Sequence, residues 1–346
     1  MWASAAEGFF IISGLLVGYV YGPRMARNVL GAAKKMWKRA FLLYALTVVL
    51  TFIFVWWGNH SNIFMVKEGL WTHPELGELL FKALTFQYYY GWADFLPYYA
   101  IFMAWAPLAL YAITRGYGAM VLGISAICWI FRGSSFEMSW QILFMGAMVL
   151  GWYLPKIEAK VKSLSPAVQR RLRMQLYGAA LFLVLASVLT IRVGDGMVHH
   201  YAGFAALPQW SQDVFLWLDG ARNAMTPYIV KWTLEPVRLL TALTWFAALY
   251  VLVRTHEIAV NRISRGFFRV LGERSLAVYV IHAFTIFALL LVIPGDHGFA
   301  LNTLMTAGVL VLVYGLAWAH AKATKHSKRT VAEGVRRLQL RNEETA

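Results

Sequence analysis

Cysteine is all but missing from this chain. Cys128 stands alone among 346 residues, so no internal disulfide can form and redox context says nothing. Charge is scarce too, at 14% of residues, and acidic charge scarcest, with 17 Asp and Glu against 32 Lys and Arg. With 60% hydrophobic residues and a mean hydropathy of +0.56, the chain is excluded as a soluble domain of this length. Signatures of soluble enzymes are absent as well: no P-loop, no dinucleotide fingerprint, no His/Cys metal spacing and no G-x-S-x-G elbow. His199 and His200 are adjacent, and chain neighbours rarely converge on one ion, so no metal site is expected.

What the chain has is long apolar runs. Nine stretches read as membrane spans: 8–22, 40–57, 95–114, 117–131, 138–154, 174–192, 237–254, 275–293 and 301–321. A hydrocarbon core of ~30 Å needs about 20 helical residues, so the shorter runs draw on their flanks. The loops between them alternate between strongly basic and nearly charge-balanced, and roughly 25 of the 32 Lys and Arg lie in every second loop or in the tail. Basic short loops stay cytoplasmic. The expected fold is therefore an all-α, polytopic membrane helix bundle of about nine helices. Residues 1–323 form the membrane domain and 324–346 a basic cytoplasmic tail. The net charge of +15 would suggest nucleic acid in a soluble protein. Here the basic groups flank spans, where the insertion rule and anionic lipid account for them, and no nucleic-acid partner is expected.

An odd number of spans with a cytoplasmic tail leaves Met1 outside the membrane, and nothing ahead of Glu7 carries it there. The simpler expectation is a missing upstream helix, giving ten helices with both ends inside.

Polar groups in or near spans are expensive to bury and are the natural functional candidates. Glu7, Asp94, Trp140, Gln141 and Arg238 each lie within roughly one turn of the outer boundary, at 1.5 Å per residue. Two readings stand for them: helix capping and anchoring, or convergence on one outward-facing polar site. His282 falls about eight residues, hence ~12 Å, from the basic border at Arg274. It either hydrogen-bonds a neighbouring helix or does chemistry. Lys34, Lys35, Lys38 and Arg39 lead into a span from the inner side, as topology signals or as a phosphate cradle. The outer segments 58–94 and 193–236 are rich in Trp and Tyr, suiting either an interfacial belt or an aromatic groove for sugars.

Several stretches together resemble the OpgC family, within the acyltransferase-3 superfamily. They are AAEGFFIISGLLVGYVYG (Ala5–Gly22), the KRAFLLY step (Lys38–Tyr44), DFLPYYAIFMAWAP (Asp94–Pro107), SWQILFMGAMVLG (Ser139–Gly151), VKWTLEPVRLLTAL (Val230–Leu243) and LGERSLAVYVIH (Leu271–His282). The resemblance implies a multi-pass bacterial inner-membrane O-acyltransferase with a cytoplasmic C-terminus. It would use cytoplasmic acyl-CoA, succinyl-CoA above all, as donor substrate without a tightly bound cofactor. Its acceptor would be a periplasmic glucan or other glycan. Relatives carry a basic residue and a His on a helix ahead of the A-E-x-F-x-x-x-S-G segment, and that helix has no counterpart here. On this reading Lys35, Lys38 and Arg39 hold the CoA phosphates, and Asp94, Trp140, Gln141 and Arg238 lie at the acceptor. His282 stands in as catalytic base, with Glu7 beside the reaction. A multi-helix transporter or flippase of a lipid-linked glycan is the alternative from another class.

Overall fold

The computed structural model describes residues 2–60, 75–90, 95–292 and 298–344. Among these the chain is all-α, and its elements fall in order. Helix α1 (Ala5–Leu16) runs through a π-helical turn (Val17–Tyr21) into α2 (Gly22–Arg27), followed by α3 (Val29–Asn59), α4 (Leu76–Leu84), α5 (Phe95–Thr114), α6 (Gly118–Ile130) and α7 (Phe136–Ser163). Then come α8 (Pro166–Val188), α9 (Gln209–Met225), α10 (Pro236–Thr255), α11 (Glu257–Ser264), α12 (Phe267–Glu273), α13 (Ser275–Val292) and α14 (Phe299–Glu344). Among the described residues seven helices are long and apolar enough to cross a membrane, and the bent pair α12–α13, counted as one span, makes an eighth. The shorter apolar α6 accounts for the ninth expected stretch. Helices suit this solvent because they satisfy every backbone polar group within the segment.

The chain divides into two compact units, Met1–Leu46 with Phe95–Thr255, and Thr47–Asp94 with His256–Ala346. The first is organised on glycine. Gly14, Gly18 and Gly22 recur every fourth residue and so share one face of the α1–α2 span. A Cβ on Gly14 would lie 2.1 Å from the Phe144 carbonyl oxygen, and one on Gly18 2.0 Å from that of Met148. Gly151 of α7 answers from the other side, where a Cβ would meet the Leu15 carbonyl oxygen at 2.1 Å. The two helices thus touch backbone to backbone, in parallel. Apolar side chains gain nothing by leaving lipid tails for one another, so close van der Waals approach of small residues drives such contacts. Aromatic rings fill the flank: Phe10, fully buried, sits edge-on to Phe102 (5.4 Å) and Trp140 (5.6 Å).

The second unit closes around rings as well. Phe54 lies against Phe284 (5.1 Å), Phe287 (4.9 Å) and Tyr90 (5.5 Å), and Phe267 against Tyr314 (4.8 Å). Its α12 and α13 meet at 96°, the geometry of a broken span or of a re-entrant loop.

Two elements depart from the sequence reading. Helix α3 begins at Val29, not near residue 40, because its basic run is helical and continuous with the apolar part. The aromatic segment after α8 contains a full helix, α9, rather than a connection.

Candidate functional site

At the N-terminus of α1, Ser4 is the cap residue and Glu7 reaches back, its Oε2 accepting from the Ser4 backbone N–H (2.8 Å) and hydroxyl (2.6 Å). Its other oxygen takes the Nε–H of Arg238, the first cation on α10. Both side chains are buried, at 1% and 7% exposure. Arg238 also donates to the Ser4 hydroxyl (3.3 Å) and the Ile229 carbonyl (3.4 Å). Nearby, the Trp2 backbone N–H donates to Ser187 of α8 (3.0 Å), tying a third helix to this end. The sequence singled out both Glu7 and Arg238; the structure joins them directly.

Trp140 lies at the same end, fully buried and stacked on Phe136 (4.8 Å, 12°). Its indole N–H donates to the Lys231 carbonyl (3.1 Å), and that of Trp129 on α6 to the Leu234 carbonyl (3.0 Å). Arg132 binds Glu235 through two nitrogens (3.1 and 3.0 Å). Residues 229–235 are thereby strapped across the ends of α6 and α7, with Leu234 held in the left-handed region (φ 48°) and fully buried. The Arg132 hydrogen bonds outweigh burial and hold the Glu235 carboxyl below its ordinary range.

Gln141, next in sequence to Trp140, turns away. It accepts from the Ser125 hydroxyl (2.6 Å) and donates to the Ser125 carbonyl (2.7 Å), pinning α7 to α6. Asp94 lies outside the described residues. His282 belongs to α13 in the second unit, where it is exposed.

The basic run on α3 divides by depth. Lys35 and Lys38 are exposed, whereas Arg39 is half-buried with its guanidinium over the Tyr99 ring (5.6 Å). Ser13 of α1 is beside the same Tyr99 hydroxyl. Two residues before Arg39, the Trp37 indole donates to the Ala104 carbonyl, halfway along α5 (3.1 Å). Arg39 lies ten residues, hence ~15 Å, along α3 from Val29. It is a half-buried cation held against a ring of α5. Tyr99 and Ser13 are the partners that sequence reasoning missed; both occur in the quoted motifs, but nothing in the spacing shows that α1, α3 and α5 meet there.

A family model described as OpgC protein matches residues 2–325. No curated protein and no solved structure matches the chain.

Proposed function

The chain belongs to the OpgC family, and from that premise we propose that it is a membrane O-acyltransferase moving an acyl group, succinyl above all, from acyl-CoA to a hydroxyl of a glucan. The donor is cytoplasmic and the acceptor periplasmic, across the bacterial inner membrane. The observation that carries this reading is Arg39, a fixed cation on Tyr99 within the bundle, preceded on the same helix by exposed Lys34, Lys35 and Lys38.

That arrangement suits an acyl-CoA. The exposed lysines attract the donor's phosphates at the basic face. The guanidinium and phenol ahead of them are preorganised donors in a water-poor interior, where such groups stabilise developing charge best. In the reaction the sugar hydroxyl attacks the thioester carbonyl carbon, and the negative charge gathers on the carbonyl oxygen. A general base takes the hydroxyl proton, the carbon–sulfur bond breaks, and the proton is returned to the departing CoA thiolate. His282 is the imidazole assigned to the base on grounds of residue type. Glu7 and Arg238, each satisfied by the other, hold the bundle end at which the acceptor approaches.

The test is acyl transfer by the purified protein from succinyl-CoA to a glucan, followed as free thiol and as ester. Arg39→Gln is expected to lower kcat/KM by about 10²–10³, the cost of losing one preorganised donor. The same change should leave folding intact, because Arg39 is half-buried and makes no ion pair among the described residues. His282→Gln should cost about 10²–10⁴-fold if it is the base. Glycan movement across the membrane without ester formation would replace this reading with the transporter.

A further inference from the structure

Beyond Val188, α8 continues as two π-helical stretches, Leu189–Gly194 and Gly196–His200. Such widened turns are rare and cluster at functional sites. Helix α9 packs against this extension, and Gly194 lets it come close: a Cβ there would lie 2.8 Å from Leu218 Cβ and 2.9 Å from the Asp219 backbone nitrogen. The approach brings Asp195 and Asp219 together although 24 residues separate them (219 − 195).

Arg222 then sorts their oxygens. One of its terminal nitrogens contacts Oδ1 of Asp195 (2.8 Å) and Oδ1 of Asp219 (3.3 Å). The two Oδ2 atoms face histidines. His199 Nε2 is 3.1 Å from Asp219 Oδ2, and His200 Nε2 is 3.8 Å from Asp195 Oδ2. Asn223 donates to Asp219 Oδ2 at 3.1 Å, fixing that carboxylate further. Ligand atoms of Asp195, His199 and Asp219 all lie within 4.8 Å of one another. Two carboxylates against one guanidinium leave one negative charge uncompensated, concentrated where the imidazole nitrogen points.

We propose that Asp195, His199 and Asp219 form a binding site for a divalent transition-metal ion of the Zn²⁺ class. Imidazole and carboxylate in a three-ligand set with an open position suit Zn²⁺, while Mg²⁺ and Ca²⁺ prefer all-oxygen shells. Arg222 and Asn223 act as the outer-shell groups that orient ligating carboxylates. His200 stands on the Asp195 side, beyond the three-ligand set. The site is independent of acyl transfer and lies on residues that reading does not use.

The experiment titrates the purified full-length chain, stripped with a chelator, with Zn²⁺ against a chromophoric competitor, and with Co²⁺ by visible absorption. One equivalent is expected to bind, with Co²⁺ d–d bands of nitrogen–oxygen coordination and a raised Tm for the loaded protein. His199→Ala and Asp219→Asn should each weaken Zn²⁺ by at least about a hundredfold, the upper range of outer-shell changes. The His199 side chain is 50% exposed, so its loss leaves the fold intact, as circular dichroism would verify. Absence of stoichiometric Zn²⁺ binding by the parent chain would overturn the proposal. Undiminished binding by a folded His199→Ala protein would overturn it equally, by placing the ion elsewhere.

Discussion

The span Ala5–Arg27 and the span Pro166–His200 both pass as membrane-crossing helices, yet within the 18-residue apolar stretch of each, 56% of the first is buried within the protein and only 11% of the second. The more apolar of the two is the one left facing outwards. Apolar content marks what lipid will tolerate, so the helix richest in it has the least need of protein neighbours. The first span carries glycines every fourth residue, Ser13 and Glu7, all of which demand protein contact. Between these two spans burial follows small and polar residues rather than hydropathy, and α3, at a hydropathy of 2.2 the most apolar span of all, is still 39% buried over its apolar stretch.

Substitution of glycine breaks that comparison most forcefully. Gly18→Ala would push a methyl group to 2.0 Å from a backbone oxygen, where no side chain can turn aside, so α1 and α7 must part. The expected loss exceeds ~4 kcal/mol, the range reserved for named core failures, with folded yield collapsing in detergent. Gly178→Ala on α8 meets nothing within 4 Å and should be neutral, or stabilising by up to about 1 kcal/mol from helix propensity. Size-exclusion profiles and thermal midpoints of the two variants check both. Equal effects would show that α1 is no more central than α8.

A second break uses charge. Glu7→Gln leaves Arg238 buried without its counter-ion, and removing one partner of such a pair costs about 3–5 kcal/mol. The double variant Glu7→Gln with Arg238→Met should recover part of that loss, measured as Tm, because no uncompensated charge remains.

The architecture was largely legible in the residues. Apolar runs located each span, although several helices run well past them, as α3 does from Val29, and the cost of intramembrane charge pointed to Glu7 and Arg238 before they were seen to pair. The start of α3 was not legible, because Lys34–Arg39 reads as a loop by composition although it is helical. Ser13 and Tyr99 were hidden for a different reason: an apolar helix has little period of its own, so its inward face is set by neighbours. The helical character of 209–225 was masked by its aromatics, which suit an interfacial belt equally well. Asp195 and Asp219 escaped notice because only the close approach at Gly194 unites them.

The smallest expected effect sharpens the contrast between a sealed pair and a wetted one. Arg132 and Glu235 are 28% and 17% exposed, against 7% and 1% for Arg238 and Glu7. Arg132 lowers the Glu235 pKa from its ordinary 4.5, so the folded protein holds the carboxylate more strongly than the unfolded chain does. Stability from this pair is complete above pH 4.5 and falls away as pH drops through the depressed folded value. Water at the pair limits its contribution to about 1 kcal/mol or less. Thermal midpoints between pH 6 and pH 3 should therefore fall less steeply in Glu235→Gln than in the parent chain. That variant also keeps the length and one acceptor of the side chain, so the strap over α6 and α7 stays in place at neutral pH. Parallel curves for the two proteins would mean that the pair is fully screened by solvent, and that only burial of the kind seen at Glu7 makes charge matter in this bundle.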